Sequence, residues 1–325
     1  QLGYLSRTIL QVLSGIYASV MWLRQRLYCW GLLRQTRLPV PVLVVGNLIV
    51  GGAGKTPVAR ALAQQLKALG WRPGIISRGY GGNTQHFPCL VHQNSNAREV
   101  GDEPLLIAQH TACPTIIDPN RSRGAKNLLK RSNCNIVISD DGLQHLSLGR
   151  NIEIVVVDGE RRFGNNFCLP AGPLREPASR LNSVDFIVSK GTARVNEFKL
   201  SLIPDYFYPL IQPKNTYTAA HFQNKKIHAV AGIGNPSQFF NSLRKLGLQI
   251  IEHPFPDHYL FKPRDFNYGK DAIIIMTEKD AVKCVGFVDA RLWCLRTKTE
   301  LDNQFLNALL NRITAIDKNL KSSLN

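Results

Sequence analysis

No two cysteines in this 325-residue chain form a C-x-x-C pair; the seven present, Cys29, Cys89, Cys113, Cys134, Cys168, Cys284 and Cys294, are scattered and odd in number. That argues against a disulfide framework or a zinc site, and for a reducing compartment in which these are small buried side chains. Low-complexity tracts and internal repeats are also missing, which excludes a disordered or solenoid chain. Nowhere is there the run of about 20 mostly apolar residues that a membrane-spanning helix needs. No small-residue cleavage site follows the N-terminal segment, so it does not read as a signal peptide. Acid is scarce as well: 23 Asp and Glu stand against 40 Lys and Arg, a formal net charge of +17. Such an excess points to an anionic partner, whether nucleic acid, an anionic membrane surface or a phosphorylated substrate. The basic residues are spread along the chain, with no dense Lys/Arg block and no RNP, zinc-finger or basic-zipper signature.

From Leu5 to Leu27 apolar residues recur at Leu5, Ile9, Val12, Ile16, Val20, Leu23 and Leu27, the spacing of one helix face. Trp22, Arg24, Arg26, Tyr28, Trp30, Arg34 and Arg37 follow toward its C-terminal end. Aromatics mixed with cations suit a membrane interface, so the segment reads as an interfacial amphipathic helix. The competing reading is a helix packed on the core.

Beyond Pro41 the pattern alternates. "VLVVG" (42–46) is a buried strand, and helical spacing runs from Thr56 through Val58, Leu62, Leu66 and Leu69 to a terminating Gly70. Strands are expected at 74–77, 114–118, 135–140, 153–158 and 185–190, with helices opening at Pro104 and Arg123. Residues 203–213 look extended and proline-punctuated; a strand–loop–helix–strand unit restarts at Ile227, another strand and turn follow at 272–283, and a helix closes the chain. Strands alternating with helices predict a doubly wound, mostly parallel sheet of P-loop NTPase type. The expected division is an N-terminal interface helix (1–38), a P-loop domain (39–212) and a smaller α/β domain (213–325).

The chemistry centres on "GNLIVGGAGKTPVARAL" (46–62). A P-loop reads G-x-x-x-x-G-K-[ST], yet Ile49 stands where its first glycine belongs. Gly51, Gly52, Ala53 and Gly54 nevertheless lead from a strand into a helix, leaving backbone N–H groups and the helix dipole to meet phosphate. Lys55 would reach the β- and γ-phosphates of ATP, and Thr56 would set its hydroxyl on Mg²⁺. The pattern also resembles the deviant P-loops of partitioning ATPases, except that Val50 replaces their signature lysine. "VISDDGLQH" places Asp140 and Asp141 at a strand end, where a second P-loop element holds Mg²⁺ or its waters. Asp102 and Glu103 precede Pro104 and fit helix capping, with a catalytic role open for Asp102. His258, between aromatics in "HPFPDHYLF", fits an ordinary half-buried residue on spacing alone.

Taken in order, "RLPVPVLVVGNLIVGGAGKTP", "SRGYGG", "GDEPLLIA", "DDGLQH", "LPAGPLREP", "FPDHYLF" and "TEKDAVK" closely resemble the tetraacyldisaccharide 4′-kinase family, the lipid A kinases. The resemblance covers most of the chain; Asn151 departs from it, standing where the family continues "LxRD" with an aspartate. It implies transfer of the γ-phosphate of ATP to the 4′-hydroxyl of an acylated glucosamine disaccharide 1-phosphate, giving a 1,4′-bisphosphate. The expected setting is the cytoplasmic face of the bacterial inner membrane, with a peripheral, monomeric enzyme that needs no nucleic acid. The resemblance makes Asp102 the general base, helped by His258 from the second domain. Lys55 and Thr56 bind phosphates and Mg²⁺, Asp140 and Asp141 complete the metal site, and Glu176 is a further metal or nucleotide contact. Arg78, Tyr80 and Arg175 are implied at the substrate. Two other readings compete: a partitioning-type ATPase switch on membrane or DNA, disfavoured by Val50 and the second α/β unit, and a nucleic-acid-binding P-loop protein, resting on charge alone.

Overall fold

The computed structural model describes residues 4–52, 54–287 and 289–322. The N-terminal periodicity forms one helix, α1 (Tyr4–Cys29), followed by β1 (Val42–Gly46), α2 (Lys55–Ala68), β2 (Pro73–Ser77), β3 (Cys89–Val91) and α3 (Ala97–Val100). Next come α4 (Asp102–Thr111), β4 (Thr115–Ile117), α5 (Arg121–Arg131), β5 (Ile136–Asp140), β6 (Ile152–Asp158), β7 (Phe186–Lys190) and β8 (Phe198–Pro209). The chain ends with β9 (Lys226–Ala231), α6 (Pro236–Lys245), β10 (Gln249–Pro254), β11 (Ile273–Thr277), α7 (Glu278–Ala281), β12 (Leu292–Leu301) and α8 (Asn303–Ser322). Helices α2, α4 and α5 each begin one or two residues before their expected starts. At α5 the reason is local: the Asn120 side chain accepts a hydrogen bond from the Arg123 backbone N–H and caps the helix.

The described strands form one sheet of twelve, ordered β10-β9-β11-β12-β8-β7-β6-β1-β5-β2-β4-β3. From β4 to β8 neighbours are parallel, as are β12, β11, β9 and β10. The two parallel blocks meet where β8 runs antiparallel to β12. The sheet therefore crosses the expected 212/213 division without a break. Side chains alternate along β1 as a two-faced strand requires. Leu43 and Val45 join α2 (Val58, Leu62, Leu66) on one face, while Val42 and Val44 join α5 (Ala125, Leu128) on the other. Helix α8 packs Phe305, Leu309 and Ile313 beside Leu62 and Phe186. It thus completes the core of the P-loop half, although it falls within the 213–325 span. The other half has its own core around Phe222, Ile227, Phe240, Leu243 and Ile275.

Helix α1 is turned outward. Its Ser14 hydroxyl donates to the Cys168 carbonyl at 2.8 Å, Tyr17 donates to the Arg175 carbonyl at 3.1 Å, and Gln25 donates to Glu176. Ile9, Val12, Leu13, Ile16, Val20 and Leu23 are exposed. The helix is moored by polar groups and presents its apolar stripe to the surroundings, so it is not a helix packed apolar-face-down on the core. Among the described residues no helix is long and apolar enough to cross a membrane. The seven cysteines are free; six are buried or half-buried and Cys29, at the end of α1, is exposed.

Candidate active site

Strand β1 delivers the glycine-rich loop to the C-terminal edge of the sheet, and β5, paired with it so that Val45 faces Asp140, delivers the acidic pair to the same edge. Ile49 is a core residue, 7% exposed and bridged to Leu174, so the position of a standard P-loop's first glycine is spent on packing. Gly54 caps α2 with φ at +89°, a left-handed conformation that glycine adopts without strain. Gly51 and Gly52 lie in the open loop before it; Ala53 falls outside the described residues. Lys55 Nζ lies 3.2 Å from Asn47 Oδ1 and 3.6 Å from Asp141 Oδ1. Val50 is half exposed and ties the loop down by donating its backbone N–H to the Pro173 carbonyl at 2.9 Å.

Thr56 Oγ1 donates to Asp140 Oδ2 at 3.3 Å. Asp140 is 1% exposed, and its other carboxylate oxygen is buried with no hydrogen-bond partner. Burial, then the neighbouring Glu103 and Asp141 carboxylates, hold the Asp140 carboxyl well above the usual carboxylate range. A deep carboxylate with an idle oxygen beside a hydroxyl is an arrangement a hard cation would complete. Among the described residues there is no cluster of three His, Cys, Asp or Glu poised for a metal. Mg²⁺ needs no such cage, because it keeps waters and takes phosphate oxygens. Asp141 is differently employed. Burial raises its carboxyl, but Lys55 and Arg175 outweigh that and lower it, and Arg175 Nη1 donates to Asp141 at 3.3 Å. Arg175, expected at the substrate, is therefore turned toward the acidic pair.

Glu176 is not with them. Its oxygens accept from Gln144 Nε2 at 2.8 Å, from Arg180 Nε at 3.2 Å and from Gln25 of α1. Instead of meeting Thr56 and Asp140, this carboxylate fastens α1 to the body of the protein. Burial raises its carboxyl.

Asp102 and His258, 156 positions apart in sequence, meet with Oδ2 and Nδ1 3.1 Å apart. Gly101, with φ at +89°, lets the chain entering α4 pass close to the 79–80 backbone; a Cβ there would lie 2.6 Å from the Tyr80 carbonyl oxygen. Asp102 opens α4, is 4% exposed, and accepts the Glu103 backbone N–H at 2.8 Å through Oδ1. Burial pushes its carboxyl up, but the hydrogen bond to His258 and the charge of Lys279 prevail and hold it below the ordinary value. His258 comes from the loop after β10 and sits in left-handed backbone at φ +60°. The exposed Tyr80 ring meets it edge-on, 4.9 Å between centroids. Arg78, two residues earlier, is also exposed. Gly52, Lys55, Thr56, Glu103, Phe239 and Lys279 line one cleft between the halves, so the loop and the surroundings of the Asp–His pair open into the same space.

Two lysines of this region carried no role in the sequence reading. Lys279 lies within reach of Glu103, Asp257 and His258. Lys190, at the end of β7, runs its stem beside Gly54 and bonds Asp158 at 3.0 Å and Gln238 at 2.9 Å. Their common signal is a lysine at or just past the C-terminal end of a predicted strand, the edge where an α/β sheet binds ligands. Asn151 is explained by the fold: its Oδ1 accepts the Val42 backbone N–H at 2.9 Å, a role that needs no negative charge.

Comparison with known proteins places the chain in a family. The chain matches the family LpxK, tetraacyldisaccharide-1-P 4′-kinase, over residues 6–314. It is 48% identical over 301 residues to a tetraacyldisaccharide 4′-kinase of Nitrosococcus oceani, covering 92% of this chain and 88% of that one. To the protein of the same name from Coxiella burnetii it is 45% identical over 308 residues, covering 95% and 91%. Among solved structures, LpxK from Aquifex aeolicus in complex with ATP is 30% identical with a TM-score of 0.80, covering 94% of this chain and 99% of that one.

Proposed function

The chain belongs to the tetraacyldisaccharide-1-P 4′-kinase family, and from that premise we propose how its residues divide the work. The protein is an ATP-dependent lipid A kinase: it moves the γ-phosphate to the 4′-hydroxyl of a tetraacylated glucosamine disaccharide 1-phosphate. The observation that carries the assignment of roles is the Asp102–His258 contact, whose neighbours Glu103 and Lys279 line the same cleft as Lys55. In this reading Gly51, Gly52 and Gly54 cradle the phosphates with their backbone N–H groups, and Lys55 leaves Asn47 for the β- and γ-phosphates. Thr56 and Asp140 would hold Mg²⁺, with Asp141 behind them restrained by Arg175. When bound, the cation neutralises charge on the phosphate oxygens. Asp102 accepts the proton of the 4′-hydroxyl as its oxygen bonds to the γ-phosphorus. The bond from that phosphorus to the bridging oxygen breaks, and ADP leaves. Tyr80, exposed beside His258, and Arg78, exposed two residues earlier, meet the sugar phosphate lipid.

The enzyme works as a peripheral protein on the cytoplasmic face of the inner membrane, with α1 as its interfacial element. The exposed stripe Ile9, Val12, Leu13, Ile16, Val20 and Leu23 supports this, as do Trp22, Trp30, Arg26, Arg34 and Arg37 at its end. Anionic headgroups and a phosphorylated lipid together account for the net charge of +17, and this reading needs no nucleic acid.

Two experiments test it. Label from γ-labelled ATP is expected on the disaccharide lipid in detergent micelles; unlabelled lipid, with ATP hydrolysis stimulated by duplex DNA, would favour the switch instead. Replacing Leu13 and Ile16 with aspartate should reduce cosedimentation with anionic phospholipid vesicles by about tenfold or more, since each side chain carries about 1.5–3 kcal/mol of apolar transfer. Ser14 and Tyr17 hold the inner face of α1, so the melting temperature should be unchanged. Vesicle binding equal to the wild type would remove α1 from the membrane.

A further inference from the structure

Lys279 is the second residue of α7 and faces three polar groups from two other parts of the fold. Its Nζ lies 3.1 Å from Glu103 Oε1 on α4, 3.2 Å from Asp257 Oδ1 in the loop after β10, and 3.3 Å from His258 Nε2. Burial works against its charge, but Glu103, Asp102 and Asp257 overcome this and make the ammonium harder to deprotonate than a free lysine. It is a permanent cation in this setting. An ammonium has three donors and no lone pair, so its contact with Nε2 is a hydrogen bond only if Nε2 carries the lone pair. The proton of a neutral ring is then on Nδ1, the nitrogen 3.1 Å from Asp102 Oδ2.

We propose that Lys279 is a positioning residue that sets the tautomer of His258: it donates to Nε2, so the ring proton lies on Nδ1 and is directed at Asp102. The inference rests on the reading above, in which Asp102 takes the hydroxyl proton. Its physical basis is the arrangement of donors and acceptors around the ring. His258 faces Asp102 from α4 and Asp257 from its own loop, whose Oδ1 is 3.8 Å from Nε2, with the edge-on ring of Tyr80 completing the surround, while Glu103 engages Lys279. Lys283, also past β11, is engaged by Asp280 at 2.7 Å. With Lys279 removed, the polar neighbour left at Nε2 is the Asp257 carboxylate, an acceptor, so the ring proton can sit on Nε2 instead. Nδ1 would then turn a lone pair toward the Asp102 carboxylate, and the hydrogen bond that orients the base would be lost. With Lys279 present, Nδ1–H donates to Asp102 Oδ2 and holds the carboxylate in place.

The tautomer can be read directly. In the full-length protein without ATP or lipid, long-range ¹⁵N–¹H correlation spectra distinguish the two ring nitrogens, with His258→Gln assigning the signals. The wild-type neutral ring is expected to show a protonated Nδ1 and an unprotonated Nε2. In Lys279→Met the Nε2–H tautomer should appear, and kcat should fall roughly 10–100-fold. Lys279→Arg should restore the Nδ1–H pattern and most of kcat. An Nε2–H tautomer in the wild type overturns the proposal, whatever becomes of the variants. So does a Lys279→Met enzyme with the wild-type ring pattern. A loss confined to KM for ATP would make Lys279 a phosphate contact instead. Because the ring pattern is recorded without substrates, its failure is separable from failure of the phosphoryl-transfer assignment.

Discussion

Changing Asp102 to asparagine or alanine is expected to lower kcat by about 10²–10⁴-fold, the contribution of a positioned base, while ATP affinity changes by less than about threefold. The separation follows from where the groups sit. In the proposed reading the nucleotide is held by the loop from Gly51 to Thr56, which leads into α2, whereas Asp102 starts α4 and, among the described residues, makes its hydrogen bonds to Glu103 N and His258 Nδ1. Asparagine keeps the volume and retains an oxygen for the Glu103 N–H, so packing around this 4%-exposed side chain survives. What it loses is the ability to take a proton. His258→Asn should cost less, roughly 10–100-fold, since it removes the orienting partner and leaves the carboxylate. The double variant should be no slower than Asp102→Asn alone, because groups that act as a unit do not add. Single-turnover transfer of labelled phosphate, with nucleotide binding measured separately, distinguishes these outcomes. Wild-type turnover in Asp102→Asn would move the base elsewhere.

The two halves of this site were unequally legible in the sequence. Gly51 through Thr56 are contiguous and follow an apolar strand, so a linear pattern suffices to find them, and Asp140 ends another apolar strand, β5, in the same manner. The Asp102–His258 pair has no local signature. Helix capping explains Asp102 and an aromatic setting explains His258, and only family resemblance linked residues that the sheet brings to 3.1 Å. The same limit hid Glu176, whose partners Gln25 and Gln144 lie 151 and 32 positions away. In the fold, the parallel block was readable from alternating apolar runs, whereas β8 was seen only as an extended stretch broken by Pro204. That proline sits where the β8–β12 ladder shifts register, opposite Leu295–Thr297. Proline is tolerated in strands at such irregularities, because no ladder hydrogen bond is demanded of its nitrogen. A breaker at a bulge reads locally as a loop, which is why the seam joining the two halves went unrecognised.

Glu278→Ala should destabilise the protein by about 3–5 kcal/mol, the scale for removing one partner from a buried ion pair. Glu278 is 6% exposed and stands 3.3 Å from Arg60 Nη1 on α2, 3.3 Å from His110 Nε2 on α4, and 3.6 Å from Arg296 on β12. Its Oε2 also accepts the Thr297 backbone N–H at 3.2 Å and hydroxyl at 3.0 Å. Burial pushes the His110 imidazole down to about 4, so it is neutral at pH 7 and adds no further cation to the cluster. Arg60, itself 6% exposed, would remain as a buried cation with only the Thr297 carbonyl at 2.9 Å among its described partners. The consequence reaches the chemistry, because the helices that Glu278 joins carry the site. Helix α2 begins with Lys55 and Thr56, α4 begins with Asp102, and Lys279 is the next residue of α7. Activity should therefore fall together with a melting temperature lowered by roughly 10 °C, whereas Asp102→Asn should slow turnover without moving the melt. Replacing both partners, as Arg60→Met with Glu278→Leu, should recover most of the lost stability, because the penalty comes from the unpaired charge more than from the lost attraction. A Glu278→Ala protein that melts within about 2 °C of the wild type would show that α2, α4 and α7 are held together by their apolar contacts alone.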